Sequence, residues 1–145
     1  MAELKALLID LIRLEIELWD AVDARLRQEA DLQLRDFLLI QVIGSTDSCR
    51  VYTLVERSGI TVGTASKGVD RLEKAGLCLR RDNPKDRRSP IIELTEQGRR
   101  TLAEASAVAD KELNDRLASV LSEQELARLA DMIAVLRAPR DAEVR

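Results

Sequence analysis

Residues 59–98 read GITVGTASKGVDRLEKAGLCLRRDNPKDRRSPIIELTEQG, and this stretch decides the fold. Its first part predicts a helix that starts after Thr61, a favoured N-cap residue, and closes at Gly76. A shorter helix comes before it and ends at Gly59, where glycine can adopt the left-handed conformation. The predicted helix carries its apolar residues on one face: Ala65, Val69 and Leu72. Two short helices joined by a tight turn predict a helix-turn-helix.

The second part of the stretch predicts a β-hairpin directly behind the helix. The segments LCLRR (77–81) and PIIEL (90–94) have strand character, and the turn-forming DNPKDRRS lies between them. The hairpin would therefore form a wing on the helix-turn-helix, with several positive charges near its tip.

Upstream of this stretch, the sequence predicts two helices and the start of a third. The first helix runs from Glu3 to about Glu29, and its apolar residues cover more of the circumference than one packing partner needs. The second fits Gln33–Ile43, stops near Gly44, and is expected to turn Leu34, Phe37, Leu38, Ile40 and Val42 inward. The next helix is expected to be capped by Asp47 and Ser48.

Downstream, two more helices are expected. Thr95 is a favoured N-cap for a helix that keeps its spacing as far as Leu121, and Ser122 with Glu125 has the form of a capping box for the final helix, which Pro139 would end. The predicted fold class is therefore mainly α with a small β-hairpin wing: a winged helix-turn-helix plus N- and C-terminal dimerisation helices. We expect one intertwined domain, with residues 1–30 and 101–145 as the helical dimerisation region and residues 31–100 as the DNA-binding region.

The composition narrows the classes of function. The chain has 145 residues, two cysteines in no CxxC pair, and no histidine. Triads and metal sites that need imidazole are therefore excluded, and we expect no enzyme activity, no cofactor and no metal. There is no apolar run of 18 residues and no secretion-signal pattern, so we expect a cytoplasmic protein that does not contact a membrane.

The charge is unevenly distributed along the chain. Residues 57–100 hold eleven Lys or Arg and six Asp or Glu, a net charge of +5, whereas the remainder holds twelve and twenty, a net charge of −8. A basic centre between acidic ends favours a surface that binds a polyanion, although basic residues on solvated helix faces are the alternative.

The order of these elements, together with the motifs GITVGTASKGVDRLEKAGL and RRDNPKDRRSPIIELTEQG, resembles the MarR family of bacterial transcription regulators. The resemblance covers nearly the whole chain. It implies a homodimer, formed by interleaved terminal helices, that reads a pseudo-palindromic site on double-stranded DNA. It also implies a repressor whose DNA affinity falls when a small-molecule effector of unknown identity fills a cleft beside the dimer helices.

The predicted DNA contacts lie on the recognition helix and on the wing. An inserted helix presents its N-terminal residues to base edges, and a hairpin tip can place arginine in the minor groove. The recognition-helix candidates are Thr61, Val62, Gly63, Thr64, Ser66, Lys67 and Arg71. The wing candidates are Lys85, Asp86, Arg87 and Arg88, of which Lys85 would contact a phosphate and Asp86 would shape the tip by pairing with an arginine or accepting backbone N–H groups.

Alternatives remain open at this stage. Thr61 and Thr64 can serve only as helix caps, and the wing can be a solvated turn without a partner. The winged helix can be a protein-interaction module whose cations meet an acidic protein, and Cys49, in a polar loop, can be a redox-sensing thiol, whereas Cys78 fits a small apolar residue in a strand.

Gly68 departs from the family's pattern, which usually has a larger apolar residue at this position. Glycine inside a helix costs about 1 kcal/mol relative to alanine. The sequence therefore predicts a recognition helix that is loosely ordered without DNA.

Overall fold

The computed structural model describes residues 3–139, so the outermost parts of the predicted dimerisation region, residues 1–2 and 140–145, lie outside the described residues. Six α-helices and one hairpin follow in the order α1–α4, β1, β2, α5, α6, with one π-helical turn between the last two helices. The helices are α1 Leu4–Ala30, α2 Leu34–Ser45, α3 Val51–Ser58, α4 Val62–Lys74, α5 Glu96–Leu113 and α6 Glu123–Arg137, and the strands are β1 Cys78–Arg81 and β2 Ile91–Leu94. The predicted fold class, mainly α with a winged helix-turn-helix, is confirmed, while the dimerisation role of the terminal helices stays a prediction.

The core lies where α2, α3 and α4 meet the hairpin, the C-terminal part of α1 and the second half of α5. Strands β1 and β2 pair antiparallel, with Cys78 opposite Leu94. The N–H of Ile92 also donates to the carbonyl of Cys49 at 2.7 Å, which ties the start of the helix-turn-helix to the hairpin. The side chains that are most completely buried are Leu26, Ile40, Cys49, Leu54, Val69, Leu72 and Ile92.

Helix α2 differs in detail from its prediction. It continues through Gly44 to Ser45, and its buried side chains include Leu39 and Ile43, which are 5% and 4% exposed. Leu38, predicted to face inward, is 38% exposed, so that part of the prediction was wrong. The reason is tertiary: α2 packs against α1, α3, α4, α5 and β2, so no single stripe of its surface forms the core.

The predicted cap of α3 was also wrong. Ser48 has a left-handed backbone with φ of +53°, and the helix starts only after Arg50. The hydroxyl of Thr53 accepts the backbone N–H of Arg50 at 3.1 Å, so the capping hydrogen bond comes from inside the helix.

The helix that follows the wing begins at Thr95 as predicted, because the N–H of Gly98 donates to Oγ1 of Thr95 at 3.0 Å. It does not stay α-helical to Leu121: the backbone widens into a π-turn at Asn114–Ala118 and Val120 is 74% exposed. Helix α6 then starts with the predicted capping box of Ser122 and Glu125.

The N-terminal half of α1 and most of α6 present apolar side chains to solvent. Within the described residues, α6 has no buried side chain. On α1, buried residues appear only from Val22 onward. The exposed apolar side chains of the two helices are Leu4, Leu7, Leu8, Ile9, Leu11, Ile12, Leu14, Ile16, Trp19, Met132, Ile133, Val135 and Leu136.

Candidate nucleic-acid interface

Helix α4 is held in place at its N-terminus by two threonines. The N–H of Thr64 donates to Oγ1 of Thr61 at 3.2 Å, which confirms Thr61 as the N-cap. The Thr61 hydroxyl also donates to Oγ1 of Thr64 at 2.9 Å. A hydroxyl that accepts one hydrogen bond keeps its own hydrogen. Thr64 can therefore still donate to a base edge or a phosphate.

The exposed side of α4 carries most of the predicted contacts. Val62 is 60% exposed. Gly63, Thr64 and Lys67 are exposed and Ser66 is half-buried. The opposite side of the helix is buried in the core through Ala65, Val69 and Leu72, as predicted. The amphipathic pattern thus fixes which face of α4 is available to a partner.

Arg71 lies on α4 but is engaged within the protein. Its Nη2 is 2.6 Å and its Nε 3.2 Å from the same carboxylate oxygen, Oδ1 of Asp36 on α2. The side chain of Asp36 is only 15% exposed. Arg71 therefore differs from Lys67, which lies one turn earlier on the same helix. Lys67 has no ion-pair partner among residues 3–139, so its charge is available to a partner molecule.

Gly68 is buried against α2, which contradicts the loosely ordered helix expected from its lack of a side chain. A Cβ at this position would lie 2.5 Å from Cδ1 of Leu39. The glycine therefore allows close approach of two helices, and the helix-propensity cost is compensated by packing.

The wing tip is built by two side chains that accept backbone N–H groups. Oδ1 of Asn83 accepts the N–H of Lys85 at 3.1 Å, and Nδ2 of Asn83 donates to the carbonyl of Ser89 at 3.0 Å. Oδ1 of Asp86 accepts the N–H of Arg88 at 2.9 Å. Asp86 therefore shapes the tip by accepting a backbone N–H, one of the two roles expected for it.

The cations of the wing fall into two groups. Arg80 contacts Asp70 and Glu73 of α4, and Arg81 contacts Glu93 of β2. Lys85, Arg87 and Arg88 are exposed and, within residues 3–139, form no ion pair. The charges near the base of the hairpin are thus neutralised locally, while those at its tip remain available to an anionic partner.

Sequence reasoning missed two residues of this region, Asp36 and Asn83. Asp36 looks like an ordinary acidic residue in the first turn of a helix, and only the packing of α2 against α4 gives it a partner. Asn83 is the one polar residue among the buried side chains of the described chain, at 8% exposed. An Asn before Pro in a turn is a signal that could have indicated its role.

The two cysteines are free and buried. Burial raises the pKa of the Cys49 thiol, and burial together with the nearby Glu73 raises that of Cys78 to about 11. Reactive thiols need exposure and a lowered pKa. Cys49 is fully buried, which argues against the redox-sensing alternative, and Cys78 is a small apolar residue of β1, as predicted.

An apolar groove of about 480 Å³ lies between α1, α2, α5 and α6. From α2 it is lined by Leu34, Phe37 and Leu38, and from α1 by Leu11, Leu14, Leu18 and Trp19. Glu15 and Gln41 are the polar residues on its wall. Helix α2 therefore contributes both to this groove and to the contacts with α4.

No helix of the described residues is long and apolar enough to cross a membrane. Among the same residues, no three His, Cys, Asp or Glu side chains form a group that could hold a metal ion.

The chain is similar to known transcription regulators. The model of the MarR family matches residues 32–89. The HTH-type transcriptional regulator BilQ of Clostridium symbiosum (strain WAL-14163) is 26% identical over 117 residues, which cover 81% of each chain.

Two relatives of known structure share the fold. Sco3205, a MarR family transcriptional regulator from Streptomyces coelicolor solved in complex with DNA, has a TM-score of 0.88 at 22% identity and covers 100% of this chain and 94% of its own. CouR from Rhodococcus jostii RHA1, solved with p-coumaroyl-CoA, has a TM-score of 0.80 at 24% identity, covering 92% of both chains. The repressor CouR bound to a 23-mer DNA duplex has a TM-score of 0.80 at 27% identity and covers 88% of this chain and 89% of its own.

Proposed function

We propose that this chain is a transcription regulator of the MarR family that binds a pseudo-palindromic DNA operator as a homodimer. The observation that carries the proposal is the pairing of two features. The exposed face of α4 presents small, hydroxyl and cationic side chains, and the wing tip presents cations that nothing in residues 3–139 neutralises. These are the two parts that a winged helix needs to bind the grooves of DNA.

The residues of α4 are assigned to base recognition. Thr64 and Lys67 can donate to base acceptors in the major groove, and Val62 can contact a thymine methyl group. Gly63 lets the backbone approach the DNA closely because it has no side chain. Ser66 is half-buried and is assigned to a phosphate.

The wing is assigned to the minor groove and the backbone. Arg87 and Arg88 can sense the width and the negative potential of the minor groove but little of its sequence, and Lys85 contacts a phosphate. Asp86 holds the tip in shape and does not touch DNA. Thr61 acts only as the helix cap.

The terminal helices are assigned to dimerisation, with residues 1–30 and 101–145 forming the dimer region and residues 31–100 the DNA-binding region. The support is the exposed apolar surface of α1 and α6. Exposed apolar patches of this extent mark protein interaction sites. A homodimer also supplies the two recognition helices that a pseudo-palindromic site requires.

The regulator is proposed to act in the cytoplasm as a repressor that a small molecule releases from DNA. The apolar groove is the proposed effector site, in line with the structure of CouR with p-coumaroyl-CoA. Its wall is largely aliphatic, although two of the three aromatic residues of the chain, Trp19 and Phe37, also lie on it.

The test is a fluorescence-anisotropy titration with DNA from the region upstream of the protein's own gene and with a shuffled version of the same duplex. We expect the protein to bind the upstream duplex more tightly than the shuffled one. Lys67→Ala should lower this preference, by about 1–3 kcal/mol for each base pair whose contact is lost. Equal affinity for both duplexes, in wild type and variant alike, would favour the protein-interaction module instead.

A further inference from the structure

Arg71 differs from the other predicted cationic DNA contacts, Lys67, Lys85, Arg87 and Arg88, in forming an ion pair within residues 3–139. Two of its N–H groups, on Nη2 and Nε, point at Oδ1 of Asp36, at 2.6 Å and 3.2 Å. The carboxylate belongs to a side chain that is 15% exposed, while that of Arg71 is 39% exposed. Charge-assisted hydrogen bonds of this kind are the strong ones. Without Arg71, the partly buried carboxylate would keep only the longer contact with Nε of Arg35, at 4.0 Å.

A second contact between the same two helices lies one turn away. Gly68 comes three residues before Arg71 on α4, and Leu39 comes three residues after Asp36 on α2, where its Cδ1 occupies the space beside the glycine. Residues three apart share one face of a helix. An ion pair and a close apolar contact therefore hold α4 on α2 at two points.

These two points of attachment on α2, together with the packing of α4 against α3 and β1, fix the rotation of α4 about its own axis. Side-chain ends lie about 6 Å from the axis of a helix, so a rotation of about 20° moves them by about 2 Å. A shift of that size breaks a hydrogen bond to a base, because donor and acceptor must remain within a narrow range of distance. Lys67 and Thr64 would be displaced in this way if α4 lost one of its attachments.

We propose that Arg71 is a positioning residue for DNA recognition, which acts through Asp36 and does not contact DNA. The proposal rests on the proposed function, since it concerns how the same interface binds an operator. It reverses the role that the sequence suggested for Arg71, and it makes Asp36, an acidic residue in a DNA-binding region, a contributor to affinity.

The substitution Asp36→Asn distinguishes the two roles by the sign of its effect. If Arg71 contacted DNA, neutralising its competitor would leave operator affinity unchanged or raise it. If Arg71 positions α4, Asp36→Asn weakens operator binding by about fivefold or more, the smaller effect expected when one base contact is lost. Arg71→Gln should then weaken binding to a similar degree. The double variant with Asp36→Asn and Arg71→Gln should bind the operator as tightly as whichever single variant binds it less tightly, because both substitutions break the same ion pair.

The salt dependence supplies an independent readout. Loss of a direct phosphate contact in both halves of a dimer lowers the slope of log K against log salt by about 1.8, whereas loss of a positioning contact leaves it unchanged. Arg71→Lys, which keeps one donor for Asp36, should recover most of the affinity lost in Arg71→Gln. Lys67→Gln should combine less than additively with Asp36→Asn, because the displaced α4 has already lost the Lys67 base contact. As the matched control, Lys85→Gln on the wing should combine additively with Asp36→Asn.

All variants are to be titrated at a temperature at which circular dichroism shows them folded, so that a change in affinity is not a change in the folded fraction. If Arg71→Gln does not fold, the sign of the Asp36→Asn effect still decides. The proposal is wrong if Asp36→Asn binds the operator as tightly as wild type, or if Arg71→Gln lowers the salt slope. A wild-type protein that does not distinguish the upstream duplex from its shuffled version would instead refute the proposed function, and this inference with it.

Discussion

Removing Arg88 from the wing tip should weaken binding to operator and shuffled DNA alike. Its side chain is exposed and unpaired within the described residues, and its backbone N–H is fixed by Asp86 at 2.9 Å. The charge is therefore fully available to DNA, on a backbone whose conformation is already ordered. We expect Arg88→Ala to have a larger effect than Arg87→Ala, since the backbone N–H of Arg87 has no such acceptor within residues 3–139.

The size of the effect follows from counterion release. Each phosphate charge neutralised contributes about 0.9 to the slope of log K against log salt, so the loss of one arginine from both wings of a dimer should flatten the slope by about 1.8. Lowering the salt concentration from about 200 to about 50 mM should therefore make the loss of affinity caused by Arg88→Ala roughly twelvefold larger. Arg88→Ala should consequently look severe at low salt and mild at high salt.

The assay is fluorescence anisotropy at several salt concentrations with both duplexes. Arg100→Ala is the matched control, because Arg100 is an exposed arginine of α5 that already pairs with Glu96 at 3.2 Å. Its loss should leave the slope unchanged. If Arg87→Ala and Arg88→Ala both retain the wild-type affinity and slope, the wing tip does not touch DNA and the reasoning from its unpaired charges fails.

Four further substitutions test other parts of the structure. Gly68→Ala should lower the thermal midpoint of unfolding. The substitution gains about 1 kcal/mol in helix propensity, but the added methyl group costs about 1–3 kcal/mol by overpacking against Leu39. A higher midpoint in calorimetry would show that the leucine has room to move. Asp86→Ala should weaken DNA binding although it removes a negative charge. The wing tip loses the hydrogen bond from the N–H of Arg88 to the Asp86 carboxylate, and a hydrogen bond to a charged group is worth about 1.5–3 kcal/mol. Tighter binding would show that Asp86 does not shape the tip for DNA. Ile12→Lys should separate the dimer in sedimentation, because it replaces an exposed apolar side chain of α1 by a charge in both subunits, and a folded wild-type monomer at micromolar concentration would refute the dimer. A backbone N–H of α2 lowers the pKa of the Asp23 carboxyl. The stability that this carboxylate contributes is therefore present above its unfolded-state pKa and is lost as the pH falls through the lower folded-state value. The stability of Asp23→Asn should fall less in acid than that of the wild type, and an unchanged pH dependence in denaturation experiments would rule this out.

Local signals in the sequence predicted the helix boundaries well. Thr61, Thr95 and Ser122 all cap helices as expected, because a capping hydroxyl needs only the backbone N–H three residues later. Gly59 and Gly76 both have the positive φ expected of residues that end helices. The hairpin was predictable for the same reason, since its two strands are separated by a turn that is itself encoded locally.

Features that depend on the packing of distant segments were not predictable in this way. The buried face of α2 depends on five neighbouring elements, so Leu39 could not be preferred to Leu38 from spacing alone. Gly68 looked like a defect because its compensation lies on another helix. Arg71 looked like a DNA contact because Asp36 is thirty-five residues away in the chain.

Helix α2 connects the apolar groove with the recognition helix through adjacent residues. Phe37 and Leu38 line the groove, while Asp36 and Leu39 hold α4. Because a helix moves as a rigid element, a ligand that shifts α2 in the groove also shifts the contacts that orient α4. The ligand can weaken DNA binding only if it binds the shifted position of α2 more tightly than the position that suits DNA. A tenfold loss of operator affinity requires a difference of about 1.4 kcal/mol between these two binding free energies. An apolar ligand reaches that value by burying only about 55 Å² more surface in one position than in the other. In the proposed repressor, a displacement of α2 that changes the buried area by this amount would therefore lower operator affinity tenfold.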